Sequence, residues 1–403
     1  MNIKNNILFE KKELLHFCIL RFIFGISYSF MIPIIPLYFD FIGINTLMIG
    51  IVMSLYGVGK ALAQMPFGMV ANTIGDKLLL MISLGLMACV PFAYTLVNSQ
   101  ILASGIYIIQ GTVLGIAAPA TFLILSRSLA PEKRGECTGY ASAVFTLGGS
   151  IGAIIGGFIV SKLNNYKMVF YISSIGILVC LIFLGLKIKK PEVTMKKCKK
   201  SKKKLRCRVK VIIEDIKKYK LAPKIIMLGV IALLGDFIYG CIVSIFPFYA
   251  QEVLGGSSFF SSAIISIYLF IFGVFAPLGG WTSDKIGVEK QFFFSFMVMS
   301  GALLALSFIR GAVLFSIIIV VYFLGATFLN SALQNSLLEF GENENIKGVV
   351  FGFVGASEST GYVLGPIVSS FIYNLNKEWL FIGLLVASLL VFFIYLILRK
   401  KAF

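Results

Sequence analysis

The sequence predicts an all-α membrane protein of twelve transmembrane helices in two six-helix halves, with both termini in the cytoplasm. Three observations carry that expectation. Hydrophobic residues make up 58% of the chain and charged residues 13%, and the mean hydropathy is +0.94, so there are too few polar side chains to cover a soluble globule. A single long polar stretch, Lys187 to Lys224, interrupts this apolar sequence. The parts it separates repeat one another.

A span needs roughly 20 apolar residues. On that measure spans fall at 14–39, 46–71, 78–98, 101–129, 136–161 and 168–186 in a first half (1–186), and at 224–250, 258–282, 291–309, 312–338, 348–373 and 379–398 in a second half (224–403). The first apolar segment is too long for a cleavable signal core and contains Pro33 and Pro36 where a small-residue cleavage site would stand, so it is expected to remain as one helix. Between the halves, 187–223 forms a basic connector. The stretch Lys187 to Lys224 holds 17 of the 36 Lys and Arg residues and only three acids, Glu192, Glu214 and Asp215, which is +14 of the net +18. A basic excess confined to one connector suits an anionic cytoplasmic membrane surface better than nucleic acid. Leu205, Val209, Ile212, Ile213, Ile216 and Tyr219 recur at helical spacing and suggest an amphipathic helix on that surface; a solvated linker is the alternative for Glu192 to Lys204.

Charge sets the orientation. With the N-terminus inside, thirteen Lys and Arg residues outside the connector fall on the cytoplasmic side, against Lys162, Lys167, Arg310 and Lys377 on the other. The repeat is seen in constant offsets. Pro36-Leu37-Tyr38 corresponds to Pro247-Phe248-Tyr249, Gly68 and Gly75 to Gly280 and Gly287, and Gly135, Gly139, Gly148 and Gly152 to Gly348, Gly352, Gly361 and Gly365. Halves with an even number of spans insert in the same sense, and are then related by an axis along the membrane normal, as in rocker-type secondary transporters.

Several function classes drop out. The seven cysteines are scattered without a Cys-x-x-Cys and His16 is the sole histidine, so no disulfide framework, metal site or cofactor is expected. Gly57-Val58-Gly59-Lys60-Ala61 lacks the outer residues of a P-loop and lies inside a span. The scattered acids form no enzyme constellation. A channel or a non-transporting sensor remains as an alternative.

The turn after the second span of each half resembles that of the major facilitator superfamily, and the resemblance covers essentially the whole chain. Gly280-Trp281-Thr282-Ser283-Asp284-Lys285-Ile286-Gly287 fits the family's Gly-x-x-x-Asp-Arg/Lys-x-Gly pattern, while the first half keeps Gly68 and Gly75 with Asn72 in place of the acid. By the family's arrangement Asp284 would meet the fifth-span start near Arg134 and Gly135, and Asn72 the eleventh-span start near Lys347 and Gly348. These contacts would gate the cytoplasmic side. Gly148-Gly149-Ser150-Ile151-Gly152-Ala153 resembles the motif of drug/proton antiporters with Ala153 for its proline, and close helix packing is the plainer account. Tyr107 stands where that group often carries an arginine.

Ionisable residues within spans are costly and so informative. Lys60, Asp236 and Glu358 each lie roughly 16–18 Å along their helices from the cytoplasmic ends, near mid-membrane, with Arg21 shallower at roughly 10 Å and able to snorkel. The second and eleventh spans face one another in the family's architecture, so Lys60 and Glu358 are expected as an ion pair, or Lys60 as a substrate contact. Asp236 has no basic residue nearby in sequence; desolvation opposes its charged form, which suits a proton carrier that a cationic substrate would compete with. Glu358 is the alternative carrier. Phe24, Tyr28, Phe237, Tyr239 and Phe328, with Gln110, Asn330 and Gln334 as an amide face, suggest a cavity for a lipophilic or amphipathic small molecule. The resulting expectation is a monomeric, proton-coupled exporter in the cell membrane, partnered by its solute, protons and anionic lipid at the connector. Uptake of a polar metabolite is the alternative.

Overall fold

Without water, every backbone N–H and C=O inside a bilayer must be satisfied within the chain, and helices do this span by span. The structure, a computed structural model, describes residues 12–127, 134–188, 221–340 and 344–402. The expected connector helix at 205–219 lies outside the described residues. In the first half the helices are α1 (Lys12–Ser29), α2 (Ile35–Phe41), α3 (Thr46–Ile74), α4 (Asp76–Tyr94), α5 (Gln100–Arg127), α6 (Arg134–Leu163) and α7 (Tyr166–Lys187). The second half has α8 (Ala222–Ser244), α9 (Phe246–Glu252), α10 (Ser258–Ile286), α11 (Val288–Phe308), α12 (Ala312–Glu339), α13 (Glu344–Leu375), a 3-10 turn (Lys377–Trp379) and α14 (Leu380–Ala402). Among the described residues, ten helical segments are long and apolar enough to cross a membrane. α1 and α13 are outside that group: α1 carries Lys12, Glu13 and Arg21, and α13 is rich in Gly and Ser.

The first expected span is two helices instead of one. α1 stops at Ser29, and a turn carries the chain to α2, which has Pro36 in its first turn. Proline has no N–H to donate and its ring displaces the carbonyl four residues back, so Pro33 and Pro36 break the ladder. Pro247 does the same between α8 and α9.

Both halves reverse direction in the same way. Gly75 (φ 98°) separates α3 from α4, and Gly287 (φ 87°) separates α10 from α11. Side chains rarely adopt such φ values, which is why glycine recurs at these corners. Other helix starts are capped by polar side chains: Met48 N donates to Asn45 Oδ1 (2.9 Å), Phe260 N to Ser257 Oγ (3.3 Å) and Met168 N to Asn165 Oδ1 (3.1 Å). At the end of α7, the buried Lys77 ammonium donates to the carbonyls of Gly185 (3.0 Å) and Ile188, satisfying acceptors the helix leaves open.

Packing follows the repeat. α1 lies on α6 and α7, α3 on α5, and α4 on α5 and α7; correspondingly α8 lies on α13 and α14, α10 on α12, and α11 on α12 and α14. Between halves, α3 packs on α13 and α6 on α10. The glycine series explains the closest of these. A Cβ at Gly148 or Gly152 would collide with the backbone oxygens of Phe22 and Ile26 on α1, one at Gly156 with that of Phe30 just past its end, and one at Gly361 or Gly365 with those of Leu233 and Phe237 on α8. Small residues on consecutive turns let the backbones touch where lipid gives no hydrophobic drive to associate.

The halves approach most closely from mid-bundle to the end where α3 starts and α13 finishes. There Gly50 meets Ser370 and Pro366, Gly57 meets Val363 and Ser359, and Gly157 meets Ser262. Ser266 donates to the carbonyl of Ser150 (2.8 Å). Toward the other end a Cβ at Gly280, Gly352 or Gly355 would meet open space. Among the described residues the contacts between the halves therefore gather at one end, and these glycines at the other show none.

Candidate functional site

Beneath the seal lies a cavity of about 440 Å³, lined mostly by α1, α3, α4, α5 and α6, with Asp236, Tyr239, Leu269 and Tyr362 contributed by the second half. Its sealed side is built from tyrosines. Tyr94 donates to Gln110 Oε1, and Gln110 Nε2 donates to Tyr28 OH (2.9 Å), with all three residues buried. Tyr56 packs at a tilt against Tyr362 across the halves (ring centroids 4.8 Å apart) and against Tyr107 within its own (5.9 Å). Such rings bury apolar area while leaving a hydroxyl to bond, which suits a wall that meets both solute and water.

Three charged residues converge here: Lys60 of α3, Asp236 of α8 and Glu358 of α13. Each is partly buried. Lys60 interacts electrostatically with both carboxylates, although no N–O pair comes within 4 Å. The expected direct Lys60–Glu358 pair is not formed within 4 Å; Lys60 acts at longer range on both acids, including Asp236, which has no basic residue near it in sequence. Further along α8, Ser244 donates to the Gly240 carbonyl of its own helix (2.7 Å) and not to Asp236. A second cavity of about 80 Å³ lies within the second half, lined by Glu358, Asn330, Tyr268, Tyr322 and neighbouring apolar residues. Asp236 and Tyr239 belong to the walls of both cavities.

Arg21 also lines the larger cavity instead of reaching the surface. Its guanidinium lies 4.3 Å from the centroid of the Phe145 ring, and its buried Nε has no hydrogen-bond partner. A cation–π contact contributes about 0.5–2 kcal/mol, whereas taking a charge out of water costs several. The ring alone does not offset that cost.

Of the expected cavity residues, Phe24, Tyr28, Gln110 and Tyr239 line the larger cavity and Asn330 the smaller. Phe237, Phe328 and Gln334 lie outside both linings. The Phe237 backbone is the surface on which Gly361 and Gly365 pack, and Gln334 is exposed, donating to Asn330 Oδ1 at 3.4 Å. Sequence reasoning missed Tyr56, Tyr362 and Phe145. A signal for the tyrosines was present: Tyr56 precedes Lys60 by four residues, Tyr362 follows Glu358 by four and Tyr239 follows Asp236 by three. Those spacings put each tyrosine on the same helix face as a charge, one turn away.

At the open end, Asp284 accepts from Asn335 Nδ2 (2.7 Å), which also donates to Ser283 Oγ (3.1 Å). Asp284 is thus held by α12 of its own half, while the side chain of its expected partner Arg134 lies outside the described residues. Lys285 is exposed beside it. Nearby, Gln291 joins three helices, donating to the carbonyls of Gly279 and Phe328 (2.9 Å each) and accepting from Thr282 (2.9 Å). Gly68, Asn72 and Arg134 lie on described helices, but their side chains are outside the described residues.

Two helical halves sharing one internal repeat, sealed at one end over a cavity with charges at mid-depth, define a membrane carrier that works from a central site. The sequence profile of the Major Facilitator Superfamily matches residues 17–346, and the chain belongs to that family. It is a multi-pass membrane transporter for small molecules and not an enzyme. Among its relatives, the multidrug resistance protein MdtG of Citrobacter koseri is 25% identical over 362 residues, covering 87% of this chain and 85% of the relative. MdtG of Proteus mirabilis is also 25% identical, over 371 residues, covering 87% and 86%. Among solved structures, a bacterial homolog of the human lysosomal transporter Spinster, inward-facing and unoccupied, superposes with a TM-score of 0.76 at 14% identity, covering 96% of each chain. A mutant of the nucleoside transporter NupG gives 0.73 at 17% identity, covering 96% of this chain and 99% of that one.

Proposed function

We propose that this protein exports small lipophilic or amphipathic compounds by proton-coupled alternating access, with twelve crossings and both termini in the cytoplasm. The observation that carries the reading is the larger cavity: drug-sized, walled mainly by aromatic and aliphatic side chains, with its charged groups limited to Arg21, Lys60 and Asp236. The name of its MdtG relatives, multidrug resistance protein, agrees with export. The open end carries Lys77, Lys224, Lys285, Lys290, Arg399, Lys400 and Lys401, so the positive-inside rule makes it the cytoplasmic end. At the sealed end Arg310 and Lys377 are engaged by acids, Glu378 and Glu252, at 2.8 Å each.

Coupling is assigned to Asp236, with Glu358 as its neighbour across Lys60. A carboxyl on the wall between two cavities can take a proton from one side and lose it to the other as the halves rock. Lys60 limits the cost of holding both acids in the bundle. The test is expression in a pump-deficient host together with purified protein in liposomes. Reduced sensitivity to lipophilic toxins, and solute accumulation driven by an imposed pH gradient, are expected. Growth on a polar nutrient with no change in toxin sensitivity would favour the uptake reading instead.

A further inference from the structure

Resting on the amphipathic-solute reading, we infer that Arg21 is an anion-binding subsite, and that the transported solutes include amphipathic organic anions whose acidic head sits on its guanidinium. The charge arrangement of the cavity leads there. Lys60 has two carboxylates within electrostatic reach, Asp236 and Glu358. Among the described residues no carboxylate pairs with Arg21, and its buried Nε lacks an acceptor. The one aromatic contact, Phe145, covers a face of the guanidinium and leaves its in-plane N–H donors without an anion. Guanidinium donors are arranged in a fork that matches a carboxylate, phosphonate or sulfonate.

The surroundings supply the rest of an amphipath's site. Phe17, Leu20 and Phe24 flank Arg21 on α1, and Leu80, Leu84 and Leu114 face them in the same cavity. An alkyl or ring body packs there while the head meets Arg21. Tyr28 stands seven residues further along α1, so Arg21 lies about 10 Å from the level of the tyrosines, toward the open end. Lys60 and Glu358 stand four residues, about 6 Å, from Tyr56 and Tyr362 toward that same end, so the solute's charge is bound about one helical turn nearer the open end than the Asp236–Lys60–Glu358 group, which is left to handle the proton.

Three ten-carbon probes that differ only in the head, decanoate, decanol and decyltrimethylammonium, test this. Binding is measured with labelled decanoate and competition by the other two, using the full chain in phosphatidylcholine nanodiscs with empty nanodiscs as background. Decanoate should bind about tenfold more tightly than either analogue, the gain expected for a charge-assisted contact. Arg21→Gln should remove that advantage while leaving decanol binding unchanged, which also shows the variant to be folded. Arg21→Lys should restore part of it. Decanoate affinity that is the same in wild type and Arg21→Gln, or equal to that of decyltrimethylammonium in wild type, overturns the subsite while leaving the exporter reading standing. If none of the three probes binds, the amphipathic-solute reading fails and the subsite with it. A lipid phosphate shares the head chemistry, so the assay is repeated with phosphatidylglycerol in the nanodisc. Weakened decanoate binding there identifies a membrane lipid as a second occupant of Arg21, and unchanged binding identifies a site served by free acids; both outcomes support anion recognition.

Discussion

Asp236 stands in the wall common to two cavities, and this position gives it a prediction separable from folding. Asparagine keeps the shape and loses the proton, so Asp236→Asn should abolish solute accumulation driven by a pH gradient in liposomes while counterflow exchange of solute continues. Accumulation at the wild-type rate would move the carrier role to Glu358. Lys60 makes a second prediction. Removing it leaves two acids near one another without a cation, a loss smaller than the roughly 3–5 kcal/mol of a fully buried pair because these groups face a cavity. Thermal unfolding in detergent should show Lys60→Ala to be less stable than Lys60→Ala combined with Glu358→Gln. Additive losses would show that Lys60 acts on something other than these acids. The three mid-helix charges stood out in the sequence because charges in apolar spans are rare. That one lysine serves both carboxylates was not legible, since it depends on three helices whose contacts no spacing encodes.

Glycine has two distinct uses at the level of helices, and substitutions should separate them. Gly152 and Gly361 touch the backbones of α1 and α8 within their own halves. Alanine there overpacks a contact that cannot yield, costing about 1–3 kcal/mol each, and Gly361→Ala should lower the unfolding temperature measured in detergent. Gly50 instead faces Ser370 and Pro366 across the halves. Gly50→Leu should leave each half folded but disfavour the seal, shifting the protein toward the state open at that end. Proteolysis or labelling that reports an unchanged balance of states would reject this. The repeated glycine spacings were visible in the sequence, as were the corners at Gly75 and Gly287. Span length predicts one helix over 14–39, whereas Pro33 and Pro36, which lack an N–H to donate, break it into α1 and α2. Asp284 shows the opposite case. Its motif was readable, while its partner in this state, Asn335, sits on a helix 51 residues further along the chain.

For the whole molecule, the seal at one end and the cavity opening toward the other predict a sided accessibility. In a background lacking the native cysteines, Ser142→Cys in the cavity wall should react with a membrane-impermeant thiol reagent in inside-out vesicles and resist it in right-side-out ones. Equal labelling from both sides would contradict the proposed orientation and sealed state together. The α3–α13 and α6–α10 contacts, equivalent under exchange of the halves, let one half rock on the other as a body, although an axis along the membrane normal does not itself interchange the two ends. The sequence alone determined that this chain is a membrane bundle, where most helices begin and end, and that its halves repeat. The reason is that bilayer thickness, backbone satisfaction and helix-breaking residues act locally along the chain. Only the tertiary structure decided which tyrosines wall the cavity, that Asp236 borders two cavities, that Lys60 is within electrostatic reach of two acids and that Arg21 pairs with no acid among the described residues, because each depends on which faces of distant helices meet in a medium that gives apolar surfaces little reason to prefer one partner over another.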